Sequence, residues 1–174
     1  MKIPRIVLAG ATSGVGKTSI TCSIIYALQK RGFSVQPFKV GPDYIDPSYL
    51  TTISKNDTYN LDVWLMGQKQ VLDSFVSHSN SDISIIEGVM GYYDGFKGNS
   101  NYASTHHVAS ITKSPVIVCE PKISNIAPIA IIIPTTIKNF AKFIMNDFFS
   151  SWINLYLSLH HSKNLVLAKK VSLG

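Results

Sequence analysis

Cysteine is scarce in this sequence. Only Cys22 and Cys119 occur, each inside an apolar run and neither in a Cys-x-x-Cys pair. That argues against a disulfide framework or a cysteine-built metal site, and both residues read as buried free thiols in a reducing compartment. Long apolar runs are missing as well. Segment 126–133 contains Pro128 and stops at Pro134, and 143–159 is interrupted by Asn146, Asp147 and Asn154. Neither reaches the ~18 uninterrupted apolar residues of a membrane span. No secretory h-region stands between Met1 and the first apolar run, so the expectation is a cytoplasmic protein with no membrane partner. No internal repeat is found. Acidic residues are nearly absent from the last third: residues 121–174 hold six Lys, one Asp and no Arg, whereas residues 1–120 hold ten Lys/Arg and nine Asp/Glu. Scattered lysines without arginine read as a soluble basic tail and not as a nucleic-acid surface. At 174 residues, one domain with a sizeable core is the natural count.

What is present is more telling. Gly10-Ala11-Thr12-Ser13-Gly14-Val15-Gly16-Lys17-Thr18 follows the apolar run Ile6–Ala9 and opens an amphipathic segment from Ile20 to Leu28. Strand, glycine-rich turn and helix form the setting in which backbone N–H groups converge on phosphate oxygens. In such a loop Lys17 reaches the β- and γ-phosphates and the Thr18 hydroxyl ligates Mg²⁺. The strict spacing puts Ala11 where the first glycine belongs. Gly10 stands one residue earlier, so the loop is expanded by one.

Up to Glu120 the chain alternates strand and helix signals. Strands are expected at 5–9, 34–39, 81–87 and 115–119, and helices at 17–30, 69–77 and 104–112. A Pro- and Asp-rich loop is expected over 41–49 and a second glycine-rich loop over 88–98. β-branched runs separated by helices predict an α/β fold, a P-loop NTPase-like mostly parallel sheet with helices on both faces. Ligands of such a sheet bind beyond the carboxyl ends of its strands.

Three further clusters carry chemistry. Lys39 to Tyr49 brings one lysine and the carboxylates of Asp43 and Asp46 to the end of the second strand. Beside a triphosphate those carboxylates call for a hard cation; otherwise they are turn formers that bond locally. Glu87 ends an apolar strand and reads as a second Mg²⁺ ligand, against the alternative of an exposed strand exit; Asp94 lies in the glycine-rich loop after it. His106 and His107, adjacent on a helix, point about 100° apart and do not readily share one metal, so Ser104 as a helix cap is the simpler account. Asn60 to Gly67 reads as core plus a cap.

Together these residues resemble one family. The loop Gly10–Thr18 is similar to the expanded phosphate loop of dethiobiotin synthetase-like enzymes. Segments 39–49, 60–67, 87–95 and 104–109 resemble cobyrinic acid a,c-diamide synthase and the related nickel-sirohydrochlorin a,c-diamide synthase. The resemblance implies an ATP- and Mg²⁺-dependent carbon–nitrogen ligase. Its substrate would be a corrinoid or nickel tetrapyrrole whose a and c acetate carboxylates are phosphorylated and then amidated by ammonia. It implies that Gly10, Thr12, Ser13, Gly14, Val15, Gly16, Lys17 and Thr18 hold ATP, and that Thr18, Asp46 and Glu87 hold the metal. Lys39, Asp43 and Asp94 would act on the substrate carboxylate and the transferring phosphoryl group. Ala11 and Leu50 depart from the family's usual Thr and His. The resemblance covers residues 1–119, giving an expected synthetase domain over 1–120 and a divergent tail over 121–174. The family's glutaminase domain, which makes ammonia from glutamine, has no counterpart here, so ammonia would come from a missing or separate domain. The sheet is expected to be incomplete at its C-terminus, as in a truncated product, and a homodimer is an expected partner state. Two other readings compete: a partitioning-type ATPase switch, which the absence of a second lysine in 10–15 disfavours, and a non-functional fragment.

Overall fold

A computed structural model describes residues 3–98 and 100–120. Five strands form one parallel sheet: β1 (Arg5–Gly10), β2 (Val35–Val40), β3 (Tyr59–Leu61), β4 (Ile83–Glu87) and β5 (Val116–Cys119). Their order is β3-β2-β4-β1-β5, and every pairing is parallel. The helices are α1 (Lys17–Lys30), α2 (Asp46–Ser54), α3 (Val63–His78) and α4 (Thr105–Thr112).

Alternation along the strands builds two cores. Ile6 and Leu8 of β1 join Ile24, Ile25 and Leu28 of α1 and Leu50 of α2 on one face. Val7 and Ala9 join Val71 and Phe75 of α3 and Val108 of α4 on the other. A strand buried on both faces carries no polar alternation, which is why these runs read as continuous apolar stretches. The expected α/β parallel sheet with helices on both faces is therefore the fold found. Segments 126–133 and 143–159 lie outside the described residues. No helix among the described residues is long and apolar enough to cross a membrane.

Four expectations need correction. The loop expected over 41–49 ends sooner, because α2 begins at Asp46. Proline in the first helical turn sacrifices no intrahelical hydrogen bond and arrives with a helical φ, so Pro47 starts this helix. Helix α3 begins at Val63, six residues before the expected Lys69. The Asp62 carboxylate accepts from the N–H groups of Trp64 (2.8 Å) and Leu65 (3.2 Å), a side-chain cap that starts the helix early. Gly67, at φ 79°, breaks the helical geometry inside it and hides the periodicity. Trp64 and Leu65 are not core; they are 55% and 62% exposed. Cys119 is a buried free thiol as expected, but Cys22 is only half-buried, and its flank of α1 is partly open to solvent.

Candidate nucleotide site

The glycine-rich loop joins β1 to α1, and two neighbouring segments fix its start. Tyr92 N–H donates to the Gly10 carbonyl (2.7 Å), and Ala11 N–H donates to the Cys119 carbonyl (2.7 Å). Gly10 is a glycine because the loop folds back over it. A Cβ there would lie 2.7 Å from the Thr12 carbonyl oxygen and 3.0 Å from Lys17 Nζ. Gly16 caps α1 at φ 85° with no side-chain hydrogen bond. An L side chain rarely adopts that backbone, and the first N–H groups of the helix stay unoccupied by a cap, as an anion site requires.

The carboxyl ends of β2 and β4 supply the charged groups. Lys39 is 2% exposed, and its Nζ donates to Asp46 Oδ2 (2.5 Å), Glu87 Oε1 (2.9 Å) and the Gly88 carbonyl (3.3 Å). Asp43 Oδ2 lies 3.5 Å from the same ammonium. Thr18 Oγ1 donates to Glu87 Oε1 (2.7 Å). Lys17 Nζ donates to the Met90 carbonyl (2.7 Å) and the Thr12 carbonyl (3.4 Å), so it bridges the two glycine-rich loops. A cavity of about 410 Å³ opens among them, with walls that include Ser13, Gly14, Gly16, Lys17, Thr18, Lys39, Asp43 and Asp46.

The electrostatics follow from burial and proximity. Burial pushes the Glu87 carboxyl above its usual range, and the opposing charge of Lys39 does not cancel that effect. Burial alone would raise Asp46 too, but the hydrogen bond and charge of Lys39 outweigh it and hold Asp46 below the usual carboxylate range. Burial would lower Lys39; the charges of Glu87 and Asp46 prevail, and its ammonium is held above an ordinary lysine. Lys17 is lowered, first by burial and then by the charge of Lys39. The cavity therefore keeps two cations and three carboxylates within one small volume.

The structure thus brings together Ser13, Gly14, Gly16, Lys17, Thr18, Lys39, Asp43, Asp46 and Glu87. Gly10, Thr12 and Val15 form the underside and flank of the loop. Asp94 stands apart: it is exposed, and its carboxylate accepts from Gly91 N–H (2.7 Å) in the loop after β4. Of the Asp43–Asp46 pair, one carboxylate bonds locally and the other bonds Lys39. Asp43 forms a local turn, accepting from the N–H groups of Ile45 (2.9 Å) and Asp46 (3.3 Å), while Asp46 faces the cluster. Glu87 is fully buried and not an exposed strand exit. Ser104 caps α4 as expected, accepting from His107 N–H (3.2 Å). The two histidines part company: His106 Nδ1 meets the Tyr92 hydroxyl at 3.1 Å, and His107 Nδ1 accepts from Ala103 N–H at 3.1 Å. Sequence reasoning missed Asn60, whose amide donates to the Asp43 carbonyl (2.8 Å) and ties β3 to the site. A lone Asn in the middle of a three-residue strand carries no signal for that role.

The donor set suits a hard cation. Among the described residues Glu87 Oε2 is buried with no hydrogen-bond partner, while its other oxygen, Oε1, accepts from the Thr18 hydroxyl and from Lys39. No group of three or more His, Cys, Asp and Glu side chains forms a self-contained metal cage among those residues. An ion held through one or two carboxylates, a hydroxyl and phosphate oxygens needs no such cage.

A family model described as the CobQ/CobB/MinD/ParA nucleotide binding domain matches residues 6–162. The cobyrinate a,c-diamide synthase of Leptospira interrogans (strain Fiocruz L1-130) is 49% identical over 119 residues, covering 68% of this chain and 26% of that protein. The Listeria innocua synthase is 51% identical over 116 residues, 66% of this chain and 26% of that protein. The Syntrophotalea carbinolica synthase is 40% identical over 144 residues, 82% of this chain and 30% of that protein. The chain thus spans between a quarter and a third of the length of these relatives.

Proposed function

The chain belongs to the CobQ/CobB/MinD/ParA nucleotide-binding family, and on that premise we propose that it is the ATP-dependent synthetase portion of a cobyrinate a,c-diamide synthase. The supporting observation is the convergence of Lys17, Thr18, Lys39 and Asp46 on one cavity lined by the phosphate loop, with Glu87 buried behind it and bonded to Thr18 and Lys39. In this reading a substrate carboxylate oxygen attacks the γ-phosphorus of ATP, the bond to the β-bridging oxygen breaks, and ADP leaves. The acyl phosphate then takes ammonia at its carbonyl carbon and expels inorganic phosphate, leaving the amide.

Such phosphoryl transfer depends on positioning and charge more than on covalent help. The loop N–H groups and Lys17 cradle the β- and γ-phosphates. Lys39, already buried among three carboxylates, is placed to neutralise charge on the transferring group. Asp43, on the cavity wall, would help position the substrate carboxylate or the acyl phosphate, while Asp94, bonded to Gly91 N–H outside the cavity, would act by fixing the loop after β4. Thr18, Asp46 and Glu87 would hold Mg²⁺, which supplies Lewis-acid stabilisation of the phosphate oxygens when bound. Residues 1–120 carry this chemistry, and a glutaminase domain elsewhere or free ammonium supplies the nitrogen.

The test is turnover of ATP with Mg²⁺ and ammonium, with and without cobyrinic acid or nickel-sirohydrochlorin, followed by mass spectrometry. Tetrapyrrole-dependent release of ADP with a mono- or diamide product is the expected result. Folded protein that binds ATP and forms no amide from either compound would overturn the reading.

A further inference from the structure

Large apolar side chains crowd the solvent face at the carboxyl end of the sheet. Trp64 opens α3 directly after β3, and Phe96 lies in the loop after β4. Their rings stack with centroids 5.4 Å apart and planes 19° from parallel, yet Trp64 remains 55% exposed and Phe96 41% exposed. The stack is held from both sides. The Asp62 cap fixes the Trp64 backbone, and Phe96 N–H donates to the Tyr102 carbonyl at 2.7 Å. Lys97 Nζ lies over the Phe96 ring, 5.5 Å from its centroid.

The segments that carry the two rings also supply residues at the nucleotide cavity. Met90, which lines that cavity and is 47% exposed, precedes Phe96 in the same loop. Asn60, two residues before the capping Asp62, is bonded to the Asp43 carbonyl at the cavity wall. A flat ligand can stack on the exposed outer face of Trp64, which Phe96 backs from the other side, with Lys97 close to the pair.

We propose that the Trp64–Phe96 stack is a binding shelf for the flat face of a carboxylate-bearing tetrapyrrole, with Lys97 receiving one of its peripheral carboxylates. This rests on the synthetase reading above, which supplies the chemical class of the ligand. Exposed aromatic faces bind extended rings by stacking and apolar burial. A macrocycle fringed with carboxylates matches an aromatic platform that carries a cation. A peptide or a second copy of the chain would match the aromatic surface but would not account for a lysine held over it.

The experiment is an absorbance titration of the full chain with cobyrinic acid, paired with a separate titration using a fluorescent ATP analogue. Trp64→Ala and Phe96→Ala are each expected to weaken cobyrinic acid binding by about tenfold, with nucleotide affinity unchanged. Trp64→Phe keeps a stacking face and should retain most of the affinity. Lys97→Glu should weaken binding, with an effect that shrinks as salt is raised. Cobyrinic acid binding that survives both alanine variants unchanged would overturn the shelf and leave the synthetase reading standing. Wild-type protein that binds the ATP analogue but neither cobyrinic acid nor nickel-sirohydrochlorin would overturn both.

Discussion

Lys39 and Glu87 are register partners at the carboxyl ends of β2 and β4, and their side chains meet at 2.9 Å with neither more than 2% exposed. Two adjacent parallel strands each end in a buried charge, and each charge makes the other tolerable. Removing one partner strands the other in a low-dielectric site.

Lys39→Met is therefore expected to lower the stability of the nucleotide-free protein by about 3–5 kcal/mol. The double variant Lys39→Met/Glu87→Gln removes both charges and should recover most of that loss. Urea denaturation of the four proteins in the cycle measures the coupling directly. A single Lys39→Met variant as stable as wild type would show that the pair does not hold the site together.

The same contacts bear on metal loading. Lys39 engages Glu87 Oε1 and Asp46 Oδ2, two of the oxygens that the proposed Mg²⁺ site would use. Without nucleotide the ammonium already neutralises them, so Mn²⁺ should bind weakly to the wild-type protein. Lys39→Met frees both carboxylates, and Mn²⁺ alone should then raise its thermal midpoint, since a ligand that binds only the folded state stabilises it by mass action. Equal Mn²⁺ responses from the two proteins, followed by electron paramagnetic resonance and thermal scans, would argue against shared oxygens.

The three charges also set opposite pH trends. Asp46 is held below its usual range, so its contribution is present above the ordinary carboxylate pKa of about 4 and fades as pH falls through the folded value. Glu87 is raised, so it favours the folded state below its ordinary pKa and costs stability as pH rises past it. Lys39 is raised, so its contribution is complete below about pH 10 and lost only as pH climbs through its folded value. Asp46→Asn should therefore flatten the loss of stability on acidification below about pH 4, while Glu87→Gln should remove the stability gained on acidification in the window just above the ordinary glutamate pKa of about 4. Chemical denaturation at pH 3 to 7 separates the two, and slopes moved in the same direction by both variants would contradict the assignment.

Most of the fold was legible because its strands are buried on both faces. Val7, Leu8, Ile85 and Ile86 leave no polar alternation to mistake for a surface strand. Helix α1 was legible in full, since the glycine-rich loop marks its start and Arg31-Gly32 its end. What was hidden lay where local chemistry overrides periodicity. Pro47 looks like loop yet starts α2, and Gly67 interrupts α3. The three-residue β3 is too short to show a period, and its pairing with β2 is a tertiary fact. In the site, Lys17, Thr18 and Glu87 were legible from motif and strand position. The Lys39–Glu87 pairing was not, because register between strands 48 residues apart has no local signature.

The expanded loop gives the sharpest test of how the nucleotide is held. At Gly10 an added methyl would meet the Thr12 carbonyl oxygen and Val15 Cγ2 at 2.7 Å each and Lys17 Nζ at 3.0 Å. At Gly14 it would meet nothing within 4 Å, and only the positive φ of 76° opposes it. Gly14→Ala should thus cost about 1–2 kcal/mol of local backbone strain and leave Lys17 in place. Gly10→Ala must push the loop or Lys17 aside. Its ATP affinity should fall at least about tenfold, since the misplaced group is a charge-assisted donor to phosphate. Titration with a fluorescent ATP analogue ranks the two: Gly10→Ala should be the weaker binder at equal folded fraction by circular dichroism. A Gly10→Ala protein that binds as tightly as wild type would mean that the one-residue expansion, and the close approach it creates under Lys17, has no part in holding the nucleotide.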